Sequence, residues 1–342
     1  APLLEKRVAL KQRALSLPRW DPRRRRDESR AAAHKWLLVT CFGYLGYKNA
    51  RFGRIEAHEA VTTWGREALL RAKEAAERLG FTVLHMYVDG LWVQKIGCHQ
   101  PQDFQPLLDE IARDTSLPVA LDGIYRWVAF LPSRVNERVP VPNRYFGVFQ
   151  DGSIKARGIE LRRHDSAPFI AQVQAELLDC LARAQSAADL PGSVNQALEL
   201  LKVRLQELRA GQVPPSRLVV GKKLSRELAG YRVPSYGARA VEQLQAVGKT
   251  VRPGQRVRLL FTRSESRVAA WDLPHVINPQ ELDLDYYQRL LLRAASEMLQ
   301  PFGIAEDDLE DLLRSDCGLQ KTFWEKECRG TLAEMKSALA QP

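Results

Sequence analysis

Several signatures are missing from this sequence, and each absence closes off a class of chemistry. No G-x-G-x-x-G loop and no G-x-x-x-x-G-K-[ST] loop is present, so the glycine-rich phosphate cradles are excluded. The six histidines, among them His58, His85 and His99, never fall at H-x-x-x-H spacing, which removes the helical two-histidine metal site. The serine-hydrolase elbow G-x-S-x-G is absent as well. The five cysteines, Cys41, Cys98, Cys180, Cys317 and Cys328, are scattered, odd in number and never spaced C-x-x-C. A structural zinc or iron–sulfur site is therefore not expected, and a reducing cytoplasm fits. Nothing marks a base for Cys41, which reads as a half-buried structural thiol. No apolar run approaches the ~18 residues of a membrane span. The opening "APLLEKRVALKQR" has no signal-peptide core. It also lacks an initiator Met and starts inside helix-like sequence, so a processed chain or a fragment is expected.

What is present is an ordinary globular composition, 45% hydrophobic and 27% charged, over 342 residues. That length suits about two domains. The formal net charge of +10 invites a polyanionic partner, nucleic acid first and an anionic membrane second. A merely basic protein without such a partner is the competing reading.

The spacing predicts a helix over residues 1–16, with Leu3, Leu4, Val8 and Leu15 roughly on one side and Arg7 and Lys11 sharing a face. "PRWDPRRRRDESR" then breaks the pattern. Its run Arg23–Arg26 reads either as a solvated loop or as a direct phosphate contact. A second helix is expected over 28–42, carrying His34 and Lys35, followed by the Gly/aromatic segment "GYLGYKNARFG". Residues 56–79 hold the clearest helical period, with Ala57, Val61, Trp64, Ala68, Leu69 and Ala72, and Gly80 stops it. Beyond it, 106–114 reads as a short helix, and "GIYRWVAFLP" and "RYFGVFQDGSIKARGIELRR" as strands turning at "QDGS". From about 168 to 210 the chain is helical. Short helices broken by Pro and Gly occupy 216–247, a turn and strand 248–262, and helix 279–300 and the chain end.

Between the long helix and the short one lies "VLHMYVDGLWVQK", which reads as a hairpin with Asp89 at its tip. Asp-Gly is a strong turn signal. A carboxylate fixed between two strands also suits a metal. The residues alone leave both readings open. A basic helix pair, a Gly/aromatic segment and a tip carboxylate are together what nucleotidyl transfer would use. Cations hold a triphosphate, carboxylates hold divalent metal, and a Gly-rich surface lets a base pair approach.

These segments resemble family B DNA polymerases of the bacterial and archaeal kind. "HKWLLVTCFGYLGYKNARFGRIEAHEAV" is similar to the fingers motif K-x-x-x-N-S-x-Y-G, with Lys35 and Gly43 matching and Val39, Thr40 and Phe42 departing from it. "MYVDGLWV" is similar to the palm motif D-T-D-S, with Asp89 at the second Asp and Tyr87 in place of the first. In "PNRYFGVFQDGSIKARGIELRRHD", Arg144 and Tyr145 match a K-K-R-Y segment, while Pro142 and Asn143 stand where lysines are usual. "KKLSRELAGY" and "AVGKTVRPGQRVRLLF" resemble the thumb.

The resemblance implies an α/β (α+β) fold: fingers helices over 1–50, an antiparallel palm sheet with flanking helices over 51–165, and a mostly helical thumb over 166–342. It implies a DNA-directed DNA polymerase acting in replication or repair, in the cytoplasm with the nucleoid. Asp89 and Lys35 would be catalytic. Arg7, Lys11, Lys35, Phe42 and Gly43 would bind the nucleotide. Arg144, Tyr145, Lys155, Arg157, Arg162, Arg163, Lys222 and Lys223 would follow primer–template DNA. Mg²⁺ would sit on Asp89, with a second carboxylate from outside this chain. The family's D-x-x-S-L-Y-P strand and its exonuclease domain do not occur here, so an N-terminal polymerase/exonuclease half is an expected partner, beside DNA and deoxynucleoside triphosphates. The alternative is a polymerase fold that binds DNA without chemistry.

Overall fold

The computed structural model describes residues 2–133, 136, 139–274 and 278–314. Cys317, Cys328 and the end of the helical chain terminus lie outside them. Contacts divide the chain into two compact units, Ala1–Asp122 and Gly123–Pro342. The division falls inside the 51–165 range.

In the first unit, α1 (Pro2–Ser16) and α2 (Pro22–Leu45) pack as a helical hairpin. α2 starts earlier than the sequence suggested, so Arg23–Arg26 lies in its first two turns and not in a loop. Pro22 tolerates the first helical position, and the Asp21 carboxylate accepts the Arg23 N–H at 2.8 Å as an N-cap. The same helix runs on through Gly43, past the end at residue 42 that the sequence suggested. α3 (Ile55–Arg78) follows, then the antiparallel pair β1 (Thr82–Tyr87) and β2 (Gly90–Gln94), and α4 (Gln105–Thr115).

Burial in this unit is found where α1 meets α2, at Ala14, Asp27 and Ala31, and around the C-terminal end of α3. Ala72, Ala75 and Ala76 of α3 pack near Phe81, Phe104, Leu107 and Ile111. The apolar period of α3 had suggested a longer buried face. Val61 and Trp64 are instead exposed, as are Leu3, Leu4, Val8 and Leu15 of α1. Among the described residues of this unit nothing covers them. Cys41 is exposed too, in place of the half-buried thiol expected.

The second unit holds a continuous core. The antiparallel sheet β3 (Tyr125–Pro132), β4 (Pro140–Phe149) and β5 (Ile154–Arg157) is ordered β3-β4-β5 and turns at Gln150–Ser153, where the Asp151 side chain accepts from the Ser153 N–H. Helices α5 (Pro168–Leu181) and α6 (Leu190–Arg209) follow. A second sheet of β6 (Val220–Lys223), β7 (Arg256–Phe261) and β8 (Val268–Ala270) carries α7 (Tyr236–Ala246) against it. α8 (Leu284–Leu299) and α9 (Glu306–Arg314) complete the described chain. Phe146, Ile159, Phe169, Leu177, Leu201 and Tyr287 are fully buried in one cluster. Helices with small antiparallel sheets are the α+β class read from the sequence.

Candidate functional site

Arg7 and Lys11 of α1 and Lys35 of α2 line one open cleft of about 260 Å³, with Ala14, Leu15, Glu28, Ala31 and Ala32. The small residues Ala14 and Ala31 are buried where the helices meet, which lets the backbones approach. Arg13 locks the pair by donating two hydrogen bonds to the buried Asp27 carboxylate, at 2.5 and 2.8 Å. Those hydrogen bonds hold the Asp27 carboxyl below the usual carboxylate range, against the opposing effect of burial. Glu28, the one acid in the cleft lining, is engaged by Arg24 at 2.9 Å. Among the described residues, Arg7, Lys11 and Lys35 make no ion pair. Three cations without an ion pair in one cleft are suited to an anion, because each is worth more to an incoming phosphate than a cation already neutralised.

Further along α2, the Phe42 ring stacks on His58 of α3, centroids 4.3 Å apart and planes 25° from parallel. The His58 Nδ1 lies 3.2 Å from the Phe42 carbonyl oxygen. Gly46 makes this possible, since a Cβ there would sit 3.1 Å from Nδ1. Gly43, beside Phe42, faces open space: an added Cβ would meet nothing within 4 Å. A flat ligand can approach this backbone closely.

Asp89 does sit at the tip of a hairpin. Tyr87 pairs with Gly90, so the two central turn residues are Val88 and Asp89, and not Asp89 and Gly90 as the Asp-Gly signal suggested. Val88 takes φ +55°, a left-handed conformation that a β-branched residue rarely adopts. Strain of this kind collects at functional sites. Asp89 belongs to the turn and not to a strand, so strand alternation does not set its face relative to Tyr87. Asp89 is exposed and makes no hydrogen bond or ion pair among the described residues. No group of three or more His, Cys, Asp or Glu among the described residues could hold a metal. Asp89 alone supplies one free carboxylate.

The second unit has its own basic cleft, of about 320 Å³, lined by Arg162, Arg163, His164, Asp165, Gly221, Lys222, Lys223 and Arg256. Four of the expected DNA-binding residues meet here. Arg256 joins them and was missed; it lies at the start of β7, and its guanidinium donates to the His164 carbonyl at 2.8 Å. Asp165 sits among the cations. Burial pushes its carboxyl up, but hydrogen bonds from Lys222, at 2.8 Å, and from Arg163 bring it down to about 2. Arg157 is exposed at the end of β5, and Lys155 lies over the Phe149 ring. Arg144 and Tyr145 are placed differently. Tyr145 is 4% exposed and packs against Phe130. Arg144 is ion-paired to Glu297 of α8 at 2.8 Å.

Residues 143–302 match the sequence family described as DNA polymerase family B. The chain is similar to family B DNA polymerases. DNA polymerase 2 of Aeropyrum pernix is 27% identical over 285 residues, covering 83% of this chain and 33% of the relative. The DNA polymerase of Desulfurococcus sp. is 26% identical over 329 residues, covering 93% of this chain and 40% of the relative. The structure of the family B DNA polymerase from the archaeon Pyrobaculum calidifontis superposes on 86% of this chain with a TM-score of 0.55 and 24% identity, and this chain covers 36% of it. That likeness shows the fold. The chain thus spans a third to two fifths of the length of these curated relatives.

Proposed function

We propose that this chain is the fingers, part of the palm and the thumb of a DNA-directed DNA polymerase, with fingers at 1–50, palm over 51–165 and thumb over 166–342. The observation that carries the reading is the cleft in which Arg7, Lys11 and Lys35 converge without counter-ions. It suits the triphosphate of an incoming nucleotide, whose negative charge rises toward the transition state of phosphoryl transfer. Phe42 and Gly43 form the surface under the nascent base pair. The basic cleft around Lys222 and Arg256 follows the phosphates of the duplex.

Asp89 is the residue that would hold divalent metal, Mg²⁺ by its oxygen chemistry. Bound metal would neutralise charge on the transferring phosphoryl group. One carboxylate does not retain Mg²⁺ well, since this ion dehydrates reluctantly. A second carboxylate must come from another polypeptide segment. The exposed Trp36 and Leu37 of α2 and Val61 and Trp64 of α3 support such a partner, because large apolar side chains left exposed suit a surface that another chain covers.

The test is primer extension by residues 1–342, alone and with a polypeptide carrying the N-terminal polymerase half. Alone, the chain should bind primer–template and incorporate no nucleotide. With the second half, extension should appear. Robust synthesis by residues 1–342 alone overturns the split-site reading. DNA binding that never becomes extension with the partner present leaves a polymerase fold serving as a DNA-binding scaffold.

A further inference from the structure

The segment that presents Arg162 and Arg163 to the basic cleft is held in an unusual way. It leaves β5 through Gly158, at φ +66°, where a Cβ would lie 2.5 Å from the Asn143 carbonyl oxygen. It then buries Ile159 and makes a single 3-10 turn, Glu160–Arg162, before reaching Asp165. Three side chains from three elements fix its backbone. Arg144 of β4 donates its Nε to the Gly158 carbonyl at 3.0 Å. Glu297 of α8 accepts the Glu160 N–H at 3.0 Å. Gln174 of α5 accepts the Leu161 N–H and donates to the Ala294 carbonyl of α8 at 2.7 Å.

Glu297 is the junction of this network. Its Oε1 takes the Arg144 guanidinium at 2.8 Å while Oε2 takes the Glu160 N–H and, at 3.3 Å, the Gln174 amide. The Glu297 side chain is 13% exposed and Gln174 is fully buried. Buried networks of this kind act together, and one missing acceptor leaves several donors unsatisfied. A strand ladder would survive the loss of one bond; this segment has none.

We propose that Glu297 is a positioning residue for duplex binding, holding the 158–165 segment so that Arg162 and Arg163 face the same opening as Lys222, Lys223 and Arg256. The proposal rests on the duplex-grip reading above. It also gives Arg144 a different task from phosphate contact: its charge is used inside, on Glu297.

The experiment is a salt titration of primer–template binding by residues 1–342. Native protein should lose affinity steeply with salt, by about 0.9 in the log–log slope for each phosphate contacted. Glu297→Ala should bind about tenfold more weakly at moderate salt, with the slope reduced by about one to two, as expected when one or two contacts are lost. Arg162→Ala should lower the slope by about one in the native background and leave it unchanged in the Glu297→Ala background. If Glu297→Ala does not fold, the double variant Arg144→Leu with Glu297→Leu, which leaves no unpaired charge, takes its place under the same criteria. A folded Glu297→Ala or double variant with native slope and affinity overturns the proposal. A shallow slope in the native protein overturns the duplex-grip reading itself, a result distinguishable from either.

Discussion

The Arg13 guanidinium meets the Asp27 carboxylate through two hydrogen bonds, at 2.5 and 2.8 Å, across the helical hairpin that carries Arg7, Lys11 and Lys35. Asp27 is 1% exposed and its carboxyl is held below its ordinary value by Arg13. A carboxyl lowered in the folded state contributes stability that is complete above the unfolded pKa, near 4, and lost as pH falls through the folded value. Hairpin stability, followed by helical circular dichroism on heating, should therefore fall between about pH 4 and more acid conditions. In Asp27→Asn the melting temperature should be lower at neutral pH and that acid-side loss should disappear.

Lys35→Ala should reduce nucleotide incorporation by the assembled enzyme about 10²–10³-fold in kcat/KM, the usual loss for one electrostatic donor at a developing charge. Arg7→Ala and Lys11→Ala should act in the same direction. Pre-steady-state incorporation measures this. Unchanged efficiency in all three would remove the triphosphate role of the cleft.

Asp89→Asn should abolish extension by the assembled enzyme and leave primer–template affinity of residues 1–342 within about twofold, since a surface substitution away from packing changes stability little. Binding and extension are to be measured on the same preparation. Full extension by this variant would show that the hairpin tip takes no part in metal binding.

Asp165 neutralises two cations of the basic cleft, Lys222 and Arg163. Because its carboxyl titrates at about 2, it stays charged across the range from pH 4 to pH 8. Its stability contribution is present above the unfolded carboxylate pKa and lost only as pH falls toward 2. Asp165→Asn should free Lys222 and Arg163, tighten DNA binding several-fold and steepen its salt dependence. Weaker binding would mean that Asp165 mainly orients the two cations.

Tyr287 is fully buried and its hydroxyl accepts the Phe261 N–H at 2.9 Å. Tyr287→Phe leaves that donor without its acceptor and should cost about 1–3 kcal/mol in stability of the second unit. Denaturant unfolding followed by intrinsic fluorescence gives the value. A loss below a few tenths would mean that the amide finds another acceptor.

Much of the fold was written locally. The period of Ala57 through Ala72 gave α3, Asp151–Gly152 gave the turn between β4 and β5, and the Asp-Gly signal gave the hairpin, with the turn one residue earlier than that signal placed it. Arg7, Lys11 and Lys35 were legible as a group because helical spacing places the first two together and a motif names the third. The limits were also local. The arginine run looked like a loop because charge and proline masked the stronger instruction, an Asp N-cap followed by Pro at the first helical position.

What the sequence by itself determined was most of the helices, the turn at Asp151–Gly152 and the Asp89 hairpin, since these follow from periodicity, capping and residue types that act within a few positions of one another. Strand β6, inside a stretch read as short helices, and strand β8 were not legible, because their pairing with β7 is made by residues distant in the chain. Which face of α3 is covered, which side of the turn Asp89 stands on and which arginines are free were decided only by tertiary structure. Arg144 and Arg162 are indistinguishable as residues. One is neutralised by Glu297, 153 positions away, and the other is left facing a cleft with Lys222 and Arg256. Pairing across such separations depends on how β4, α5 and α8 pack, and no local pattern records it.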